Sequence, residues 1–237
     1  MMSILTGWGE LSVAFAAFFA SHVVPARPSV RRVLHAHLGG ATYAAAYSAV
    51  SLAILAWLIA AAGNAPHIQL WDFELWQPWV PNLVMPFVCL LIAFGFAAPN
   101  PFSISLWPGK DASFDSARPG IAGITRHPLL WAITLWAAAH AVPNGDLAHV
   151  LLFGLFALFG FAGIAAIDRR RRAGWGGKLW AERAQKTSLV PFAAVIAGRV
   201  RLGELNLNPL RGFAGLALYI MLIAAHPHLI GVSPLPQ

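Results

Sequence analysis

Residues 148–167 read AHVLLFGLFALFGFAGIAAI, and the chain continues directly into Asp168-Arg169-Arg170-Arg171-Arg172. Twenty residues without an Asp, Glu, Lys or Arg, rising about 1.5 Å each in a helix, match the roughly 30 Å hydrocarbon core of a bilayer. Four consecutive arginines at its end resist translocation and hold that end on the cytoplasmic side. This pairing of an apolar run with a cationic stop decides the fold class.

Working outward, five more apolar stretches occur, at residues 4–24, 40–62, 83–98, 128–142 and 212–230. When the connections are numbered in order, all 16 Lys and Arg fall in the first, third and fifth. The N-terminal end, the second and fourth connections and the C-terminal tail hold none. Sorting of cations onto alternate connections is the signature of insertion into a membrane. The sequence therefore predicts an all-α, polytopic bundle of about six transmembrane helices, with both termini on the non-cytoplasmic side of the membrane. A chain of 237 residues suits one membrane domain.

Composition agrees with lipid as the solvent. Hydrophobic residues make up 58% and charged residues 11%, with a mean hydropathy of +0.65, against about 25% charged in ordinary globular domains. The net charge of +7 marks topology and contacts with anionic lipid heads, not nucleic-acid binding. The one cysteine, Cys89, allows neither a disulfide framework nor a thiolate cluster. The first stretch is read as a retained helix, because Arg27, Arg31 and Arg32 follow the apolar run and Glu10 interrupts it.

The connections carry their own signals. Residues 70–79, LWDFELWQPW, have three Trp, two acids and no cation, which suits an interfacial segment. Residues 143–146, Pro-Asn-Gly-Asp, are turn chemistry joining two antiparallel helices, with Gly145 free to take positive φ. The third connection, 99–126, reads as an irregular loop. The apolar run 189–197, too short to cross, is expected to be a helix lying at the inner surface or dipping into it, within an inner-surface segment 178–197. The third span is expected to begin at about Pro86.

Nine histidines against nine acids make imidazole the unusual resource. The spans contain no carboxylate pair, no Ser–His–Asp layout and no phosphate loop, so metal or cofactor ligation has the best local support. His22 lies near the end of the first span, His127 at the start of the fourth and His140 near its end. Each also has a structural reading. His127-Pro128 suits a helix cap with Pro at the first position, and His22 or His140 can simply bond a neighbouring carbonyl. His226 and His228 flank Pro227 at an interface. His35, His37, His67 and His149 are loop or edge residues. The Arg169–Arg172 run is an anchor, and Trp131 and Trp136 are packing residues that also suit the wall of a flat ring system.

Ile124-Thr-Arg-His-Pro-Leu-Leu-Trp131, Leu135-Trp-Ala-Ala-Ala-His140 and Asn144-Gly-Asp146 together resemble the NnrU family of bacterial membrane proteins. The same segment resembles the family's isomerase branch, the plant 15-cis-zeta-carotene isomerases. The likeness extends to Phe19-Ala-Ser-His22 and Thr187-Ser-Leu-Val-Pro-Phe-Ala-Ala194, and so covers most of the chain. It implies a polytopic fold and, for the isomerase branch, a non-covalent haem b ligated by residues matching His22 and His140. The cysteine that this branch carries three residues before the late histidine is Ala137 here, so no sulfur is at hand for ligand exchange. Family members called NnrU are linked to denitrification, through production of active nitrite and nitric oxide reductases.

Depth along the helices argues for a different second ligand. Thirteen residues separate His127 from His140, about 20 Å along a helix axis, and two axial ligands need nearly equal depth. On depth, His22 pairs with His127, and His140 with His226. An inner site would also place haem propionates near Arg27, Arg31 or Arg126, which bind carboxylates through two parallel hydrogen bonds. The second ligand stays open between His140 and His127.

Three functions follow as expectations. The first is a haem-dependent cis–trans isomerase acting on a lipophilic, carotenoid-like polyene. The second is an accessory protein of denitrification that handles nitric oxide or supports maturation of the reductases. The third is a membrane methyltransferase using S-adenosylmethionine, since an Arg-His-Pro helix start also resembles isoprenylcysteine methyltransferases. Against that third reading, no aromatic residue directly follows Pro128, and Leu179-Trp-Ala-Glu182 matches the C-terminal pattern of those enzymes only loosely.

Overall fold

A computed structural model describes residues 2–25, 27–96, 98–104 and 114–236. Among them the regular structure is helical, apart from one isolated antiparallel bridge between Gln69 and Asp146. The helices are α1 (Met2–Val23), α2 (Pro28–Leu38), α3 (Gly40–Gly63), α4 (Trp79–Gly95), α5 (Ile121–Ile124), α6 (Pro128–Ala141), α7 (Leu147–Ala184), α8 (Ala193–Ile196) and α9 (Pro209–Ile230). Of the irregular loop expected in the third connection, residues 105–113 lie outside the described residues.

Among the described residues three helices, α3, α7 and α9, are long and apolar enough to cross a membrane, while α4 and α6 are apolar but shorter. In α3 and α9 most apolar side chains face outward. Only 6% of the most apolar window of α9 is buried and 11% of that of α3, and residues such as Leu158, Leu210, Phe213 and Ile220 are exposed. Water would penalise such a surface at about 25 cal/mol per Å², whereas lipid does not. The fold is that of a helical membrane protein.

The residues group into two compact units. The first comprises residues 1–72 and 145–152. In it α1 packs on α3, and the indole Nε1 of Trp57 donates to Glu10 at 3.1 Å. The segment after α3 is stitched to the turn before α7. Leu70 N donates to Gly145 O at 2.8 Å and Leu147 N to Ile68 O at 2.8 Å. Gly145 does not use the positive φ open to it. Its need is for space, since a Cβ there would run into the Trp71 carbonyl. The first basic connection is not irregular, as α2 carries Arg31, Arg32, His35 and His37 in helical register.

The second unit comprises residues 73–144 and 153–237. Here α4 packs against both α6 and α9. The buried core joins Val88 and Leu91 of α4 to Ile121 and Ile124 of α5, Ala132 of α6, Ala194 of α8, Val200 and Leu205. α4 starts at Trp79, four residues earlier than the expected span, and runs through Pro86. Pro86 has no N–H to give the carbonyl of Asn82. Tyr219 of α9 supplies the missing donor, its hydroxyl bonding Asn82 O at 3.1 Å. The helix continues because its neighbour repairs it.

Two other expectations need correction. α7 does not stop with the apolar run at Ile167, but continues helical to Ala184 with one break at Gly176, where φ is 74° and ψ 162°. The apolar run 189–197 does not form one continuous helix either. Phe192 adopts left-handed φ, α8 is a single turn, and the segment instead folds inward to bury Ala194 in the core.

Candidate functional site

The Thr125-Arg126-His127-Pro128 junction between α5 and α6 builds a buried polar cluster. Thr125 is extended, and Pro128 occupies the first turn of α6 after His127 as its cap, as the sequence suggests. The loop 187–192 lies alongside. Arg126 N donates to Ser188 O at 2.7 Å, Phe192 N to Ile124 O at 2.9 Å, and Thr125 Oγ1 to Leu189 O at 3.0 Å. The indole Nε1 of Trp131 donates to the same Leu189 carbonyl at 2.9 Å. These bonds satisfy the polar groups of the irregular backbone.

Arg126 turns inward from this frame. Its Nε donates to Asp168 Oδ1 at 2.8 Å and its Nη2 to Oδ2 at 3.1 Å, while Nη1 reaches Thr187 Oγ1 at 3.2 Å. The guanidinium also lies 5.3 Å from the ring centre of Trp180 and 5.9 Å from that of Phe102, within the reach of cation–π attraction. Its carbonyl accepts from Asn100 Nδ2 at 2.8 Å. His127 is fully buried, with Nε2 at 3.1 Å from Asp168 Oδ1 and Nδ1 at 3.3 Å from Ser103 Oγ. A carboxylate only accepts, so Nε2 carries a proton toward Asp168, while Nδ1 meets the Ser103 hydroxyl.

Asp168 is the hub of this cluster. Burial alone raises its carboxyl, but the hydrogen bonds from His127 and Arg126, and then their charges, more than offset that and hold it below the ordinary carboxylate range. Sequence reasoning missed this residue. The signal was present: Asp168 is the single acid directly at the end of the apolar run 148–167, beside four cations. Of those, Arg169, Arg170 and Arg172 are exposed, as an anchor requires, and Arg171 donates to Ser103 O at 3.3 Å.

His140 sits at the far end of α6. Its Nδ1 is 2.8 Å from the carbonyl of Trp136, one turn back, which fixes the proton on Nδ1 and leaves the lone pair on Nε2. The rings of Trp136 and Phe153 hold the imidazole at centroid distances of 5.5 and 5.7 Å. His140 borders a cavity of about 490 Å³ between α4, α6, α9 and the C-terminal tail, lined mostly by apolar side chains, and His226 of α9 borders it too. Ala137, where the isomerase branch carries cysteine, is fully buried.

His22 belongs to the first unit. Its Nδ1 lies 2.8 Å from the carbonyl of Phe18, again one turn back, and its ring meets Phe18 and Tyr47 at 4.3 and 6.0 Å. The structure thus joins Arg126 and His127 to each other through Asp168, and places His140 with His226 at a separate cavity. Neither Arg126 nor His127 lines that cavity or the smaller one beside Arg118 and Arg211.

Apolar helices turned outward, a buried Arg–His–Asp cluster at one end of α6 and an imidazole-bearing cavity at the other define a helical membrane protein with polar sites inside the bundle. The model of the NnrU family, described as NnrU protein, matches residues 10–234. The chain belongs to the NnrU family. No curated protein and no solved structure matches it.

Proposed function

We propose that this NnrU protein is a six-span protein of the bacterial cytoplasmic membrane, with both termini outside, that binds haem b and isomerises a cis double bond of a carotenoid-like polyene. His140 and His22 would hold the haem in this reading. The observation that carries it is the state of the His140 ring. Its Nδ1 proton is pinned on the Trp136 carbonyl, and the ring borders a neutral, largely apolar cavity. Histidines that ligate metal typically donate their other N–H to a carbonyl or carboxylate in this way. The Phe18 carbonyl holds the ring of His22 in the same manner.

His127 loses the choice of second ligand on the same chemistry. Both its ring nitrogens are engaged, by Asp168 and Ser103, and freeing Nε2 for iron would strip a buried carboxylate of a donor. Arg126 is likewise engaged by Asp168, so it serves the bundle and is not a propionate partner.

When bound, a reduced haem supplies electron density that weakens a conjugated double bond without net redox change. The chain supplies the rest. Trp136 and Phe153 fix the ligand ring, Ala137 leaves no competing sulfur, and the apolar cavity wall excludes water and admits a substrate from lipid. The test is to purify the protein in detergent after expression with adequate haem, reduce it, and add a polyene with one central cis bond. A coloured protein that converts cis to trans only when reduced supports the proposal. A coloured protein without conversion shifts the function to nitrogen-oxide chemistry, and a colourless one removes haem altogether.

A further inference from the structure

The cavity beside His140 has a chemical bias of its own. At about 490 Å³ it falls in the range of about 300–1,000 Å³ typical of small-molecule sites. No Asp, Glu, Lys or Arg lines it, so a charged ligand would enter without compensation. Its wall toward the chain end is the tail at residues 232–235, drawn in by two side chains. Asn82 Nδ2 donates to Pro234 O at 2.6 Å, and His226 Nδ1 bonds Val232 O at 2.8 Å.

Those bonds leave an imbalance. The amide protons of Asn82 go to Pro78 O and Pro234 O, and the Tyr219 hydroxyl goes to Asn82 O. A carbonyl only accepts, so Val232 O fixes the proton of His226 on Nδ1 and leaves a lone pair on Nε2. Among the described residues, no hydrogen bond engages that nitrogen. His226 thus brings to the cavity lining a ring nitrogen able to accept a hydrogen bond.

We propose that this cavity binds an uncharged lipophile through a hydroxyl group that donates to Nε2 of His226, and that the C-terminal tail is the wall closing over it. The inference does not rest on haem. His226 keeps its lone pair whether or not His140 holds iron.

The test uses the full-length protein in nanodiscs, its haem content recorded by absorbance, titrated calorimetrically with 4-octylphenol and with 4-octylanisole. These probes share a skeleton, but only the phenol can donate. Empty nanodiscs correct for partitioning. The expected result is phenol binding roughly 3- to 10-fold tighter, the span of one net hydrogen bond. His226→Phe should lower phenol affinity to that of the ether and leave the ether unchanged. Removal of residues 232–237 should weaken both probes. Equal affinity for the two probes, a preference that survives His226→Phe, or no binding of either would overturn the proposal. Each of these readings is made at the recorded haem content, so a colourless protein that still prefers the phenol would sink the haem reading and leave this one standing.

Discussion

Arg126 and Asp168 form a two-point ion pair, Nε to Oδ1 at 2.8 Å and Nη2 to Oδ2 at 3.1 Å, with side chains only 11% and 18% exposed. It ties the start of α6 to the end of the apolar run of α7. Breaking a buried pair by removing one partner leaves an uncompensated charge and costs about 3–5 kcal/mol. Asp168→Ala should fall toward the lower end of that range, because its rim is partly wet. Arg126→Met combined with Asp168→Leu should cost markedly less than Asp168→Ala alone. Unfolding midpoints in graded denaturing detergent measure both, and a double variant worse than the single would contradict the pairing.

The same carboxyl gives a pH dependence. Burial raises it, and the His127 and Arg126 contacts lower it further than burial raises it, so its folded value lies below 3.8. A depressed carboxyl adds stability that is fully present above its unfolded value and is lost as pH falls through the folded one. The stability gap between the wild type and Asp168→Asn should therefore be flat from neutral pH down to about 5, and shrink below about 4. A gap that widens on acidification would count against this assignment.

Tyr219 repairs the hydrogen bond that Pro86 removes. Tyr219→Phe strands the Asn82 carbonyl and should cost about 1–3 kcal/mol. In a Pro86→Ala background residue 86 regains its N–H and can serve that carbonyl itself, so the same substitution should then cost much less. A double-mutant cycle reads the coupling directly, and independence of the two sites would dismiss the repair.

Gly145→Ala places a methyl against the carbonyl of Trp71 and should destabilise the first unit by about 1–3 kcal/mol. Proteolysis at residues 65–72, faster in the variant, is the measurement. An unchanged rate would mean that the strand-like contact between Gln69 and Asp146 yields easily.

Much of this architecture was legible in the residues. α3, α6 and α9 begin or end within about three residues of the apolar runs, because a lipid-facing helix must be apolar almost throughout. The start of α4 was hidden by Pro86, whose cost is met by Tyr219, 133 positions further along the chain. The end of α7 was hidden because hydropathy reports where a helix leaves lipid and not where it unwinds, which Gly176 and Ala184 settle. At the sites, the histidines and the Arg-His-Pro junction stood out as rare polar residues. Asp168 and the tail at 232–235 did not, because their importance lies in which distant groups they meet.

The central claim is that His140, and not His127, holds iron. Pyridine haemochrome content of His22→Ala, His127→Ala and His140→Ala, each expressed with adequate haem and normalised to folded protein, tests it most directly. The account predicts that haem is lost in His22→Ala and His140→Ala, and retained in whatever His127→Ala protein folds. Full haem in His140→Ala with loss in His127→Ala would contradict it.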